Sequence, residues 1–243
     1  MGDQRGEVFD SILALVVSKT GAVGYIAEQG GQLFVVINGK RGEVFDYIDG
    51  FSASEDGKTI TYLGQKAGKW CLVLGEKQGP LFDEDLTGYE LSADGTSIVY
   101  VAAVDASTLT VLIDGKTGGW YSDVLGLKIS SDGKLVAYSV FERTRVNPWK
   151  EDEYYFDEEE FVVIGGKEGQ SFDEVDDLTM SPDGKHIAYV ARKGKEYFLV
   201  VDERQSGAFD LVSAPVFSAD SKQVGFGVRQ KNQFWWKVST VSQ

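Results

Sequence analysis

The chain has 243 residues, with 38 acidic side chains against 24 basic ones and a net charge of −14. Its hydrophobic content of 42% is too high for a disordered chain. One Cys and one His exclude a disulfide framework, a multi-cysteine metal site and a paired-histidine zinc site. The acidic balance disfavours nucleic-acid binding, because no surplus of Lys and Arg is available to contact phosphates. We therefore expect no cofactor, no metal and no nucleic acid.

The longest apolar run near the start, Ile12 to Val17, is too short for a membrane helix or a signal peptide. We therefore expect a soluble chain without membrane insertion. The compartment stays open: it is cytoplasmic by default, and periplasmic or secreted if a signal peptide was removed.

A short motif, an aromatic residue followed closely by Asp, recurs six times with steps of 36, 37, 39, 51 and 37 residues. A Ser follows nine or ten residues after each motif, and another aromatic residue follows seven or eight residues after that Ser. The motifs are Phe9-Asp10, Phe45-Asp46, Phe82-Asp83, Tyr121-Ser122-Asp123, Phe172-Asp173 and Phe209-Asp210. Spacing held this closely indicates a repeat protein with units of roughly 40 residues.

Each unit is predicted to hold four short strands. In the fifth unit, the runs that begin at Leu178, His186 and Tyr197 are rich in β-branched and aromatic residues, and the turn Pro182-Asp183-Gly184 separates the first two. Runs of this kind, joined by Asp-Gly and Gly-Lys turns, are typical of antiparallel hairpins. No segment shows a long apolar period of 3.6 residues, so helix should be nearly absent.

Two segments, Ser130 to Tyr138 and Ser181 to Tyr189, share the pattern Ser-x-Asp-Gly-Lys-x-(Val/Ile)-Ala-Tyr. This pattern resembles the WD40-like repeat of TolB-type β-propellers, and the resemblance covers almost the whole chain. It implies a propeller fold, which carries many different functions within that family. The Trp-Asp dipeptide of true WD40 blades and the Ser-x-Asp-x-Gly-x-x-Trp box of sialidases are absent from the sequence.

The predicted fold is all-β: a single domain over residues 1–243, forming a six-bladed β-propeller of four-stranded antiparallel blades. Blade boundaries are expected near residues 10, 46, 83, 122, 173 and 210. The last unit stops in its third strand, and Gly6 to Asp10 matches a fourth strand without the preceding three. Pairing these two ends would close the ring of a monomeric propeller and remove its exposed edges. A fragment of a larger propeller is the alternative.

The repeat predicts a ring of carboxylates at one mouth of the propeller, which we call the acidic rim. Its members are Asp10, Asp46, Asp83, Asp123, Asp173 and Asp210. Two interpretations are open. The rim could attract cations or a basic peptide, or each Asp could accept backbone hydrogen bonds and stabilise a turn. A residue required once per blade favours the second interpretation.

The fourth unit carries an insertion of roughly 14 residues, over about residues 142–160. It falls between the second and third strands, on the same face as the acidic rim. Insertions confined to one repeat commonly lie on a binding face, and exposed aromatic residues dominate binding hot spots. The candidate partner-binding residues are Trp149, Glu151, Asp152, Tyr154, Tyr155 and Phe156. Alternatively, the insertion is a solvated acidic hairpin whose aromatic residues pack on neighbouring blades.

Other residues of chemical interest fall at ordinary positions of the repeat. His186 follows a turn and is expected at the surface, whereas Cys71 lies in a strand. The segment from Asp83 to Asp94 mimics a calcium loop, but Glu90 stands where such loops carry an apolar residue. No nucleophile elbow, Walker loop or dinucleotide fingerprint is present.

The sequence therefore predicts a non-enzymatic scaffold that binds a protein or peptide with basic patches on the face bearing the insertion. Two alternatives stay open. One is a hydrolase of the glycosidase type that uses a pair of carboxylates, and the other is the accessory propeller of a peptidase-like assembly.

Overall fold

The computed structural model describes residues 7–18, 21–54, 56–84, 86–146 and 155–241; the side chains of residues 144–146 and 155–156 are outside the description. Over these ranges the chain forms 24 strands and no helix. The strands make six four-stranded antiparallel sheets in chain order. The prediction of an all-β chain with six units of four strands is thereby confirmed.

The first three sheets contain strands β1 to β12. The first consists of β1 (Ser11–Val17), β2 (Val23–Gln29), β3 (Gln32–Ile37) and β4 (Lys40–Phe45). The second consists of β5 (Tyr47–Ala53), β6 (Ile60–Lys66), β7 (Lys69–Leu74) and β8 (Lys77–Gln78). The third consists of β9 (Leu86–Leu91), β10 (Ile98–Asp105), β11 (Thr108–Ile113) and β12 (Lys116–Tyr121).

The remaining sheets contain strands β13 to β24. The fourth consists of β13 (Asp123–Ile129), β14 (Val136–Val146), β15 (Tyr155–Ile164) and β16 (Lys167–Glu168). The fifth consists of β17 (Glu174–Met180), β18 (Ile187–Lys193), β19 (Glu196–Val201) and β20 (Arg204–Gln205). The sixth consists of β21 (Leu211–Val212), β22 (Val216–Phe217), β23 (Gln223–Gln230) and β24 (Gln233–Thr240).

The sixth sheet departs from the pattern of the other five. Its first strand is split into β21 and β22, which both pair with β23. Pro215 lies in the gap, and a proline cannot donate to the ladder. Strand β24 pairs with β23 on one side and has no partner strand on its other side within the described residues.

Hydrophobic clusters join each sheet to the next along the chain. The first and second sheets share a cluster that includes Ile26, Val35 and Tyr62. Equivalent clusters join the second sheet to the third, the third to the fourth, the fourth to the fifth and the fifth to the sixth. The fold is therefore stabilised by five consecutive sheet-to-sheet interfaces, each burying apolar side chains from both partners.

The recurring aromatic residue belongs to these interfaces. Each of the last five copies along the chain pairs with the third strand of the preceding sheet. Its ring packs on an aromatic residue of the following sheet. The strand pairs are Leu33–Phe45, Trp70–Phe82, Leu109–Tyr121, Glu160–Phe172 and Tyr197–Phe209. The ring contacts are Phe45–Tyr62, Phe82–Tyr100, Tyr121–Tyr138, Phe172–Tyr189 and Phe209–Phe226. Because this residue touches two sheets, its period sets the period of the fold.

The Ser-x-Asp-Gly turns interlock the sheets at one end, which we call the lower edge. A Cβ built on Gly133, in the turn of the fourth sheet, would lie 2.5 Å from Cβ of Ser97 in the third sheet. Gly95 and Gly184 approach Ser54 and Ser130 of their preceding sheets in the same way, at 2.8 and 2.6 Å. Glycine is needed at these positions both for the left-handed backbone and for the close contact.

We predict that Gly133→Ala destabilises the protein by about 3 kcal/mol, the sum of left-handed strain and a steric clash between two sheets. Gly166→Ala is the matched control in the same sheet. Gly166 also has a positive φ, of 81°, but a Cβ there meets no atom within 4 Å, so we expect a loss of about 1 kcal/mol. Urea unfolding of both variants gives the comparison, and equal losses would show that the turns do not interlock.

Candidate interaction face at the upper edge of the sheets

The upper edge is the end of the sheets opposite the Ser-x-Asp-Gly turns. It contains the turns between second and third strands and the segments that lead into each first strand. All six acidic-rim residues lie at this edge and are exposed.

Four of the rim residues cap a hairpin turn of their own sheet. One carboxylate oxygen of each accepts a hydrogen bond from the first backbone amide of the turn. The bonds are Gly30 N to Asp10 at 2.7 Å, Ala67 N to Asp46 at 2.6 Å, Gly194 N to Asp173 at 2.7 Å and Lys231 N to Asp210 at 2.8 Å. This recurring bond supports the structural interpretation of the rim.

The third and fourth sheets depart from this arrangement. Asp83 pairs with the Lys69 ammonium at 2.7 Å, and Asp123 accepts a hydrogen bond from the neighbouring Val124 amide. In the fourth sheet Ser122 occupies the capping position, because its hydroxyl accepts a hydrogen bond from the Arg143 amide at 3.1 Å. The offset of Asp123 by one residue, visible in the sequence, therefore marks a change of capping residue.

The insertion forms an extension of the hairpin in the fourth sheet. Strands β14 and β15 have 11 and 10 residues and stay in unbroken register from the Ala137–Ile164 pair to the Val146–Tyr155 pair. In the fifth sheet the strands at the same places have 7 and 6 residues. These two long strands are the second and third strands of the fourth sheet, and they extend beyond the other hairpins at the upper edge.

Four of the six predicted partner-binding residues are not described by the structure. Trp149, Glu151, Asp152 and Tyr154 lie outside the described residues. Tyr155 and Phe156 are described only as backbone, within β15. Their role in binding therefore stays a prediction.

The base of the extended hairpin is strongly acidic. Glu142, Asp157, Glu158, Glu159 and Glu160 lie on its two strands, and the Arg143 guanidinium pairs with the Glu158 carboxylate at 3.2 Å. Attraction for positive charge is the electrostatic property that this arrangement produces.

The fifth sheet extends the acidic surface. Burial raises the pKa of Glu160, and the nearby carboxylates of Asp176 and Glu174 add to this effect, although a hydrogen bond from the Val175 amide opposes it. Burial also raises the pKa of Asp176. Arg192 offsets part of the charge, because its Nε donates to Glu174 at 2.6 Å. None of these residues belongs to the recurring pattern, so the sequence motifs do not predict this group.

At the lower edge, Lys and Asp side chains of the same turn pair with each other. In the second sheet, hydrogen bonds from the Lys58 amide and ammonium and the Ser54 hydroxyl lower the pKa of Asp56 to about 2. The Lys134 ammonium is the main cause of the same effect at Asp132, whose pKa is also about 2. These lysines belong to turn chemistry and do not form a free basic surface.

The lone His and Cys have structural surroundings. The expectation of a surface position for His186 is only partly right, since its side chain is 17% exposed and its Nδ1 lies 2.6 Å from the Asp202 carboxylate. Cys71 is buried in β7, as expected for a strand residue, and its Sγ lies 3.5 Å from the Gly64 carbonyl.

No group of three or more His, Cys, Asp or Glu side chains suited to a metal occurs among the residues described. In the segment that mimics a calcium loop, Asp94 instead accepts hydrogen bonds from Ser92 and Thr96. Within the same described ranges, no helix is long and apolar enough to cross a membrane.

No family model matches the chain, and no curated protein matches it. Solved structures similar to it include β-propellers. Hydrazine synthase from Kuenenia stuttgartiensis is 16% identical with a TM-score of 0.42, over 95% of this chain and 84% of that one. The β-propeller domain of the trilobed protease from Pyrococcus furiosus is 12% identical with a TM-score of 0.42, over 97% and 86%. TolB from Acinetobacter baumannii is 16% identical with a TM-score of 0.36, over 86% and 57%.

Proposed function

We propose that the chain is a non-enzymatic interaction module that binds a protein or peptide with basic patches at the upper edge of its sheets. The observation that carries this proposal is the extended hairpin of the fourth sheet. Its strands are longer than those of the other described hairpins between second and third strands, which have short turns. Loops that vary on a rigid scaffold commonly carry function.

Charge supports the same surface. The hairpin base and the adjoining strand β17 bring Glu158, Glu160, Glu174 and Asp176 to one region. A partner with Lys or Arg would be steered toward this region, with an association rate that falls as salt is added. The aromatic residues of the insertion would supply the apolar anchors of the complex.

The register of the hairpin permits a clean deletion. Glu142 pairs with Glu159 as Lys66 pairs with Lys69 in the second sheet, where Ala67-Gly68 forms the turn. Replacing residues 143–158 with Ala-Gly should restore a short hairpin. The new alanine amide takes the place of the Arg143 amide and can still donate to the Ser122 hydroxyl.

We predict that this shortened variant loses the partners that the intact chain retains from a lysate of its own source. Titration of each purified partner should show affinity at least 100-fold weaker. The melting temperature should fall by no more than about 4 °C, as expected for a loss near 1 kcal/mol. Undiminished affinity would contradict the assignment of the site.

A charge variant separates electrostatic steering by the acidic residues from anchoring by the aromatic residues. The double variant Asp157→Asn/Glu158→Gln should weaken binding and reduce its salt dependence. The matched control Glu168→Gln/Glu203→Gln removes the same charge from exposed positions at the lower edge and should leave binding unchanged. Equal effects of the two variants would indicate non-specific attraction by net charge.

A carboxylate-based hydrolase is the second candidate, favoured by the raised pKa of Glu160 and Asp176, a property that a general acid requires. The Glu160 carboxylate already accepts a hydrogen bond from the Val175 amide at 2.7 Å, which suits a structural role. Glycoside turnover by the intact chain that disappears in Glu160→Gln would replace the binding proposal with this one.

We further propose that the sheets are the blades of a closed six-bladed propeller of the TolB type. The outer faces of the first and sixth sheets, which do not belong to any of the five interfaces, both carry exposed apolar side chains. Ile12, Leu15 and Val17 are 60–62% exposed on one, and Phe234 and Trp236 are 77 and 67% exposed on the other. Packing these faces together would form a sixth interface like the five already present.

The repeat gives the register of closure. Phe9 already packs on Tyr25 with ring centroids 5.8 Å apart, as its five counterparts pack on theirs. Those counterparts pair with the third strand of the preceding sheet, as Phe209 does with Tyr197. The residue of β24 equivalent to Tyr197 is Phe234, so the closing pair is Phe9 with Phe234.

We predict that Phe9→Cys/Phe234→Cys, made with Cys71→Ala, forms a disulfide within one chain on mild oxidation, because residues paired across antiparallel strands meet the distance requirement. Tyr197→Cys/Phe209→Cys is the control at a pair already formed. Non-reducing electrophoresis should show a faster-moving monomer for both variants. Linked dimers alone for the first variant would indicate that a second copy, and not the chain itself, covers these faces.

A further inference from the structure

A cleft of about 710 Å³ lies between the first and second sheets, along their outer strands. The equivalent clefts between the fourth and fifth sheets and between the fifth and sixth sheets have volumes of only about 270 and 180 Å³. Since the repeat builds all three in the same way, the size of the first cleft is a local departure from the pattern.

Smaller side chains accompany the extra space. The fourth sheet places Leu135 against the interface with the fifth sheet, and the first sheet has Ala22 at the equivalent position. Gly75, which lines the cleft from the second sheet, has no side chain to fill it.

One part of the cleft wall is apolar. Val35 and Ile37 from the first sheet face Ile60 and Val73 from the second. A cavity of this volume with walls of this kind matches the usual dimensions of small-molecule sites. An apolar group of a ligand would gain stability by leaving water there.

A tyrosine hydroxyl lies in the lining of the cleft. Tyr62 is only 3% exposed and lines the cleft. The equivalent Tyr138 bonds to the Tyr121 hydroxyl at 3.2 Å, whereas Tyr62 packs on Phe45, which has no hydroxyl to offer. A Cβ built on Gly42, in the outer strand β4, would lie 3.7 Å from this hydroxyl. Burial raises the pKa of Tyr62 to about 12, so the group is a neutral hydrogen-bond donor.

Three basic side chains, Lys40, Arg41 and Lys58, and two carboxylates, Glu43 and Glu76, also line the cleft. Lys58 is paired with Asp56 at 2.9 Å, and Glu43 with Lys66 at 3.3 Å. Lys40 reaches across from the first sheet to Glu76 of the second, with 2.5 Å between nitrogen and oxygen, and both side chains are more than two-thirds exposed. Exposed ion pairs of this kind contribute little stability, so an anion can compete for the lysine. In contrast, the charged residues of the cleft between the fourth and fifth sheets are Glu168 and Glu203.

We propose that this cleft is a binding site for an amphipathic monocarboxylate, a small acid with an alkyl or aryl body. The apolar body lies between Val35, Ile37, Ile60 and Val73. The carboxylate replaces Glu76 as the partner of Lys40 and accepts a hydrogen bond from the Tyr62 hydroxyl. This site is separate from the proposed partner surface at the upper edge.

Calorimetric titration of the intact chain tests the proposal, with octanoate as the probe and octylammonium of the same length as the charge control. We expect octanoate to bind with a stoichiometry of one and octylammonium to bind at least tenfold more weakly. No heat of binding for octanoate at millimolar concentration, or equal binding of the two probes, would overturn the proposal.

Matched variants locate the site. Val73→Trp should fill the cleft and abolish octanoate binding, whereas Val200→Trp, its equivalent in the cleft between the fourth and fifth sheets, should leave binding unchanged. Lys40→Gln and Tyr62→Phe should each weaken binding about tenfold, while Lys167→Gln, the equivalent of Lys40 in the fourth sheet, should not. These milder changes keep the test valid if a tryptophan variant fails to fold. Binding that survives Val73→Trp, Lys40→Gln and Tyr62→Phe would place octanoate on the exposed faces of the first and sixth sheets and overturn the proposal.

Discussion

The fold depends on the fact that these sheets are apolar on both faces. A sheet of this kind is stable only between two neighbours, so each interface must bury side chains from both partners. Five clusters fulfil this requirement between consecutive sheets. On the outer face of the first sheet, Ala27, Phe34 and Val36 form a buried cluster against which Phe9 packs, whereas Ile12, Leu15 and Val17 of the same face are 60–62% exposed. The same requirement makes the outer face of that sheet the natural partner for the sixth sheet.

Because packing between sheets carries the stability, the edges of the sheets can change without loss of the fold. The fourth hairpin shows this most clearly. The Ser122 hydroxyl still accepts a hydrogen bond from the Arg143 amide, at the place where the other hairpins begin their turn. Strand β14 continues beyond Arg143 to Val146. The cleft between the first and second sheets shows a second kind of variation, because smaller residues such as Gly75 enlarge an interface that the repeat still builds.

The repeat made most of the fold predictable. The period of the aromatic residue and the Ser-x-Asp-Gly turns predicted six sheets, their order and the place of the insertion, since those residues recur with a spacing that chain geometry imposes. The pairing of His186 with Asp202 and the burial of Glu160 were not predictable, because each depends on side chains brought together by folding and not on a repeated position. The enlarged cleft was not predictable either, because small side chains at an interface do not form a recognisable sequence motif. The partner-binding role of Trp149 and Tyr154 remains a prediction.

Hydrogen exchange at the outer edge of β24 tests most directly the claim that every sheet is covered on both sides. In the fifth sheet the Tyr197 amide donates to the Phe209 carbonyl at 2.9 Å, and in a closed ring the Phe234 amide would donate to the Phe9 carbonyl in the same way. We expect the Phe234 amide to exchange as slowly as the Tyr197 amide. Exchange of the Phe234 amide at the rate of an unprotected peptide, with Tyr197 still protected, would contradict closure of the ring.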